Sequence, residues 1–247
     1  MVNALRPPVI GLTTYGQAHG YYGVFDNYVR AVRRAGGVPI LLPPGESQLT
    51  EILALIDGVI FTGGGDVDPV RYSGSGHPSI YKVDPERDEF EFRLAQTVLW
   101  QQIPILGICR GLQVLNLVSG GAGLHPHVPD AFGLETLHRS AESVSVRHPV
   151  NLVKGSRLER ALQTPTLTVT SWHHQAISSA PPGWRVSAYA PDGLIEAIEH
   201  EQHPCAIAVQ WHPEMSLEDP YQQRIFGYFI ASVQKQMTQS LECADAA

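Results

Sequence analysis

One cysteine stands between two glycines, in Gly107-Ile108-Cys109-Arg110-Gly111, behind the apolar run Ile103-Pro104-Ile105-Leu106 and ahead of the helix-like Leu112-Gln113. An apolar strand that turns through Gly-x-Cys-x-Gly into a helix is the thiol version of a nucleophile elbow. The glycines remove the side chains that would clash across so tight a turn. The sulfur is then expected at a helix N-terminus, where unpaired amides and the helix dipole favour thiolate. The backbone N–H of Arg110 faces a developing oxyanion. Such a nucleophile needs a base, and the base an orienting group. Of the eleven histidines, His212 is the best placed, in Ala206-Ile207-Ala208-Val209-Gln210-Trp211-His212-Pro213-Glu214. An apolar strand delivers it to the end of the sheet, where parallel-sheet sites lie. In extended chain Glu214 points the same way as His212 and can reach its Nδ1. His173 is a rival base without a nearby carboxylate in sequence. Cys205 starts a strand and Cys243 lies in the tail, and both read as ordinary thiols.

These residues need a frame. Val9 to Thr13, Val38 to Leu42, Gly58 to Thr62 and Pro104 to Ile108 read as short buried strands. They alternate with helices at Phe25 to Ala35, Leu49 to Ile56, Glu86 to Gln101 and Gly111 to Val118, the second capped by Ser47 or Thr50. That order predicts a parallel sheet covered on both faces. The second half supplies strand candidates at Ser143 to Val146, Leu152 to Val153, Thr166 to Thr170, Arg185 to Ala190, Leu194 to His200 and Ala206 to Gln210. Turns such as Pro191-Asp192-Gly193 separate them, a smaller antiparallel addition. Tyr221 to Gln236 closes the chain as a helix. The expectation is one α/β domain over 8–236, with residues 237–247 frayed.

Gly107-Ile108-Cys109-Arg110-Gly111-Leu112-Gln113 together with Gln210-Trp211-His212-Pro213-Glu214 resembles the class I glutamine amidotransferase fold. Phe61-Thr62-Gly63-Gly64-Gly65-Asp66-Val67-Asp68-Pro69 and Ser171-Trp172-His173-His174-Gln175-Ala176 resemble its γ-glutamyl-γ-aminobutyrate hydrolase (peptidase C26-like) branch. The resemblance runs from about Pro8 to Lys235. It implies a flavodoxin-like, mostly parallel central sheet flanked by helices. It further implies Cys-His-Glu hydrolysis of a γ-glutamyl amide to glutamate and an amine through a γ-glutamyl thioester, in the setting of polyamine breakdown. It assigns a second oxyanion N–H to Gly64 or Gly65. Gln113 is to help hold the glutamyl group, and the loop Ser171, Trp172, His173, His174 and Gln175 is to close over it. The segment 122–140 departs from the family pattern, and Arg87-Asp88, which recurs in this branch, has no role that the sequence explains.

Composition excludes other classes. Asp+Glu 24 against Lys+Arg 17 gives a formal charge of −7, unsuited to gripping a phosphate backbone, so no nucleic-acid partner is expected. Three scattered cysteines support neither a disulfide framework nor a cysteine zinc site. Asp66-x-Asp68 and His125-x-His127 sit among prolines and read as turns. No metal and no cofactor are expected. No apolar run approaches the roughly 20 residues that span a bilayer, and Met1 to Pro8 lacks a signal-like core, so a cytoplasmic location is expected. The expected partner is a small γ-glutamyl amide, with homo-oligomerisation open. Three competing readings stay open. One is a glutaminase subunit passing ammonia to a synthase, another a γ-glutamyl peptide or folate hydrolase. The third is a non-catalytic protein on the same fold, which the intact Cys109, His212 and Glu214 disfavour.

Overall fold

The computed structural model describes residues 6–18 and 21–245. In chain order the first half contains strands β1 (Val9–Thr13), β2 (Tyr15–Ala18) and β3 (Tyr21–Gly23), then helix α1 (Asp26–Arg34), β4 (Val38–Leu42), α2 (Leu49–Leu53) and β5 (Gly58–Phe61). Next come α3 (Pro85–Trp100), β6 (Ile105–Ile108), α4 (Arg110–Val118), β7 (Leu124–His125) and α5 (Val128–Phe132). The second half holds β8 (Val146–Leu152), α6 (Arg157–Leu162), β9 (Thr166–Ser171), β10 (Ala176–Ile177), β11 (Trp184–Tyr189), β12 (Ile195–His200), β13 (Ala206–Val209) and α7 (Pro220–Asp245).

One nine-stranded sheet runs β4-β1-β5-β6-β13-β12-β11-β8-β9. From β4 to β13 every pairing is parallel, and from β12 to β9 every pairing is antiparallel. The antiparallel portion therefore continues the parallel sheet. β13, which the sequence groups with the antiparallel strands, is the hinge between the two: it pairs parallel with β6 and antiparallel with β12. Alternate residues of the central strands enter two cores, as period-two geometry requires. Leu106, Ile108, Ile207 and Val209 pack with α1, α6 and α7, whereas Ile105, Ala206 and Ala208 pack with α2, α3 and α4.

The structure revises several expectations. β4 is an edge strand with Val38, Ile40 and Leu41 exposed, not a buried one. The predicted strand start at Ser143 falls in a turn, and pairing begins at Val146. Gln48 precedes α2 without a side-chain cap, so neither Ser47 nor Thr50 plays that part. The last helix continues past Met237 to Asp245 instead of fraying there. No helix among the described residues is long and apolar enough to cross a membrane.

Candidate active site

β5, β6 and β13 lie side by side and parallel, with Phe61 opposite Gly107 and Val209 opposite Ile108. Their C-terminal ends therefore deliver three loops to one edge: Gly63–Gly65, Cys109 and His212. At Cys109 the backbone adopts φ 53° and ψ −107°, a conformation that L-residues rarely occupy and that strained nucleophile turns use. The flanking glycines are required. A Cβ on Gly111 would stand 2.2 Å from the Phe61 carbonyl oxygen, and one on Gly107 would stand 2.9 Å from Ala208 Cβ. Cys109 precedes α4, so its sulfur meets the helix N-terminus.

His212 and Glu214 are both buried, and Glu214 Oε1 lies 2.6 Å from His212 Nδ1. The contact is made through a 3₁₀ turn over Pro213–Ser216, not through extended chain as the sequence suggests. Pro213 at the first position of that turn sets its backbone angle. Since a carboxylate only accepts, Nδ1 is the donor and Nε2 is left for other chemistry. Nε2 has no hydrogen-bond partner among the described residues. Burial works to lower the His212 pKa, but the Glu214 carboxylate and the Cys109 sulfur outweigh it and hold it well above the ordinary value. Gly63 lies between Cys109 and His212: a Cβ there would fall 2.8 Å from His212 Cε1 and 3.6 Å from Cys109 Cβ. Cys205 contrasts with Cys109, since burial pushes its thiol up to about 11.

The Gly63 N–H donates to Tyr28 Oη at 2.9 Å. The amides of Gly64, Gly65 and Arg110 donate to no group among the described residues. Arg87, unexplained at the level of sequence, holds this loop. Its Nη2 donates to the carbonyls of Thr62 at 3.2 Å and Gly63 at 2.9 Å, and its Nε to Glu91 at 2.8 Å. A Cβ on Gly64 would collide with its guanidinium. Asp88 accepts from the Asp68 N–H at 2.9 Å and from Arg110 Nη2 at 2.7 Å. Arg87, Asp88, Glu91 and Arg110 thus form a buried, charge-balanced quartet that ties the glycine loop to the elbow helix. The Arg110 side chain is turned into it, and only its backbone N–H faces the site.

The 171–175 loop divides. Trp172 belongs to the site wall: its ring lies 6.3 Å from that of His212 and stacks on Phe25 at 6.5 Å, and its Nε1 donates to the Ser143 carbonyl at 2.6 Å. The side chains of Ser171, His173 and His174 are instead engaged within the protein. Ser171 Oγ is spent on the His138 carbonyl at 2.8 Å. His174 Nε2 is bound to Asp66 at 2.9 Å, which makes Asp66 a loop clamp. His173 turns inward, with Nδ1 donating to the Gln175 carbonyl at 2.9 Å, and does not compete with His212 as base. Gln113 bridges the Gln175 carbonyl at 3.4 Å and Gln210 Oε1 at 3.5 Å. The Gln175 side chain is buried with both polar atoms unpaired.

Sequence reasoning missed Tyr15, Tyr81 and Arg139. Tyr15 lies under the Arg87 guanidinium at 5.0 Å, and Arg139 lies over the Tyr81 ring at 5.4 Å. Burial raises the pKa of both phenols, and both feel the Cys109 sulfur. Among the described residues Arg139 forms no ion pair. It lies within the segment 122–140, where the family pattern gives no guide.

With this geometry in hand, the sequence profile of Peptidase C26 matches residues 8–214. The chain belongs to the Peptidase C26 family. Its relatives include a Mycobacterium tuberculosis protein named as a candidate glutamine amidotransferase, 40% identical over 86% of this chain and 71% of that protein. They also include the γ-glutamyl-γ-aminobutyrate hydrolase of Escherichia coli K12, 33% identical over 95% of this chain and 96% of that enzyme. Two solved structures share the fold at low identity. A Thermoplasma acidophilum protein described as a GMP synthase subunit gives a TM-score of 0.68 at 19% identity, covering 95% of this chain and 98% of its own. The glutaminase domain of Trypanosoma brucei CTP synthase gives 0.60 at 16%, covering 92% and 94%.

Proposed function

We propose that this Peptidase C26 member hydrolyses γ-glutamyl amides, with Cys109 as nucleophile, His212 as general base and acid, and Glu214 as its orienting carboxylate. One observation carries the reading. A histidine whose Nδ1 is held at 2.6 Å by Glu214 faces, across Gly63, a cysteine on a strained strand–helix turn whose sulfur raises the histidine pKa. The Cys109 sulfur attacks the γ-carbonyl carbon, and the oxygen gains charge opposite the amides of Arg110 and Gly64 or Gly65. The C–N bond breaks, and His212 gives its proton to the departing amine. Water, deprotonated by His212, then attacks the γ-glutamyl thioester, releasing glutamate and the free thiol.

Two polar side chains are assigned to the acyl half of the substrate. Arg139, which forms no ion pair among the described residues, suits a substrate carboxylate, and the amide of Gln175, unpaired among them, suits the α-amino group. A site built on such pairing rejects analogues that lack either group, because its own polar atoms would lose their partners. The test is kcat/KM for the purified chain, without added protein, on γ-glutamyl-γ-aminobutyrate, other γ-glutamyl amines, α-deamino analogues and free glutamine. Hydrolysis of the amines with strong rejection of the deamino compounds is expected. Silence until a synthase is added would favour the glutaminase reading instead.

A further inference from the structure

Three histidines and a glutamate meet inside the protein, away from the elbow. His138 lies in the segment between α5 and β8, His148 on β8, His173 just past β9, and Glu196 on β12. All four are buried, with Glu196 fully so. One donor atom from each lies within 4.8 Å of the others. Glu196 Oε1 is 3.1 Å from His138 Nδ1, 3.5 Å from His148 Nε2 and 3.5 Å from His173 Nε2. None of these approaches has hydrogen-bond alignment, so both Glu196 oxygens and all three facing nitrogens are buried without a partner. An ionised carboxylate without partners in a protein interior is expensive.

The far side of each ring is, by contrast, fully engaged. His138 Nε2 meets Asp192 Oδ2 at 2.9 Å, His148 Nδ1 meets the Pro149 carbonyl at 3.0 Å, and His173 Nδ1 meets the Gln175 carbonyl at 2.9 Å. Each acceptor fixes the proton on the outer nitrogen and aims the lone pair of the inner one at the common centre. That is the arrangement by which outer carboxylates and carbonyls orient metal-binding imidazoles. The spacing also fits. Four donors around zinc at bonds of about 2.0–2.1 Å form a tetrahedron with edges of roughly 3.3 Å, and the carboxylate-to-imidazole separations bracket that value.

We infer that His138, His148, His173 and Glu196 bind one Zn²⁺ as a closed, four-coordinate structural site. Nitrogen and oxygen donors suit zinc, and four protein ligands leave no open position for catalysis. The cation joins the segment before β8 to β8, β9 and β12. It thereby anchors the loop whose next-door members, Trp172 and His174, face the elbow and the glycine loop. This departs from the sequence expectation of a metal-free chain, and it lies apart from the Asp66-x-Asp68 and His125-x-His127 pairs considered there.

The test counts metal and does not depend on turnover. The full chain is produced in zinc-supplemented medium, passed over a chelating resin and analysed for elements. About one zinc per chain is expected for the wild type and for Cys109→Ala. Glu196→Gln and His148→Ala should keep less than about a tenth of it, and Asp192→Asn, which alters only the outer shell, should weaken affinity about 10–100-fold. To keep the test independent of how ligand variants fold, wild-type protein stripped with a chelator is also titrated with Co²⁺. The intense visible absorption of four-coordinate Co²⁺, saturating at one equivalent and displaced by Zn²⁺, is expected. Metal-free wild type with a featureless Co²⁺ titration, or equal zinc in the ligand variants, overturns the proposal. Loss of γ-glutamyl hydrolysis with zinc retained would count against the proposed function alone.

Discussion

Two histidine–carboxylate assemblies meet at the 171–175 loop, and they use the imidazole in opposite ways. At the elbow, one carboxylate holds the Nδ1 of His212 and the Nε2 stays unengaged beside a thiol. In the interior cluster, carbonyls and Asp192 hold the outer nitrogens of three rings, so three lone pairs converge on Glu196. In the roles proposed above, the same pairing orients a proton carrier in one place and a set of ligands in the other. The distinction lies in what the second nitrogen faces. A mobile proton needs a reactive neighbour, whereas convergent lone pairs need a cation. The two assemblies should therefore respond separately to substitution.

The largest separation is expected at the nucleophile. Cys109→Ala or His212→Ala should lower kcat by about 10⁴-fold or more, as for members of a cooperating triad, with metal content unchanged. A variant with normal turnover would break the assignment. Glu214→Gln should cost about 10²–10⁴-fold in kcat and should also alter stability with pH. His212 has a folded pKa above its ordinary value, so its stabilisation is complete below about pH 6.5 and is lost as pH rises through the elevated value. The melting temperature of the wild type should exceed that of Glu214→Gln most at about pH 5–6.5, and the gap should narrow on going alkaline. A pH-independent gap would mean that the pair does not titrate as described.

The quartet behind the glycine loop comes next. Arg87 uses the planar fork of its guanidinium on two carbonyls and a carboxylate, which an ammonium cannot match. Arg87→Lys should lower kcat/KM by about 10²-fold through a displaced oxyanion loop, chiefly in kcat. An effect confined to KM would argue for substrate contact instead. Arg110→Met strands the buried Asp88 and Glu91 carboxylates and should destabilise by about 3–5 kcal/mol, read from denaturant unfolding. Little change would mean that the quartet is not electrostatically coupled.

How far the sequence reached follows the same division. The elbow was legible because its chemistry is local: two glycines, a cysteine and a strand-to-helix change sit within a few residues. His212 and Glu214 were legible because they are two residues apart. The cluster was not, since its members come from four segments that only sheet pairing unites. His148 sits on a strand whose buried face it shares with Val150 and Leu152, the pattern of an ordinary core position. Period two also divides the 171–175 loop: Ser171 and His173 point inward while Trp172 points to the site. Arg87-Asp88 stayed unexplained because its partners, Thr62, Gly63, Asp68 and Arg110, lie far from it in sequence. The parallel pairing of β13 with β6 was hidden for a similar reason. A strand's own residues carry its period but not the direction of its neighbour.

The smallest effect probes whether the two assemblies are coupled at all. Trp172 stands between them: its indole lies beside His212, and the next residue is a ligand. Its Nε1 also donates to the Ser143 carbonyl, which lies in the segment that His138 anchors. Trp172→Phe keeps an aromatic wall and removes that one bond, which should cost about 0.5–1.5 kcal/mol of stability and only a few-fold in kcat/KM. The informative quantity is the same substitution measured in zinc-loaded and chelator-stripped protein. With the cation bound, the 138–143 segment is fixed and the Nε1 bond has a defined acceptor. With the cation removed, that acceptor is loosened and the substitution should matter less. The difference between the two measurements is a coupling energy in the sense of a double-mutant cycle. Identical effects in both forms would mean that the interior site and the catalytic wall are independent despite their adjacency.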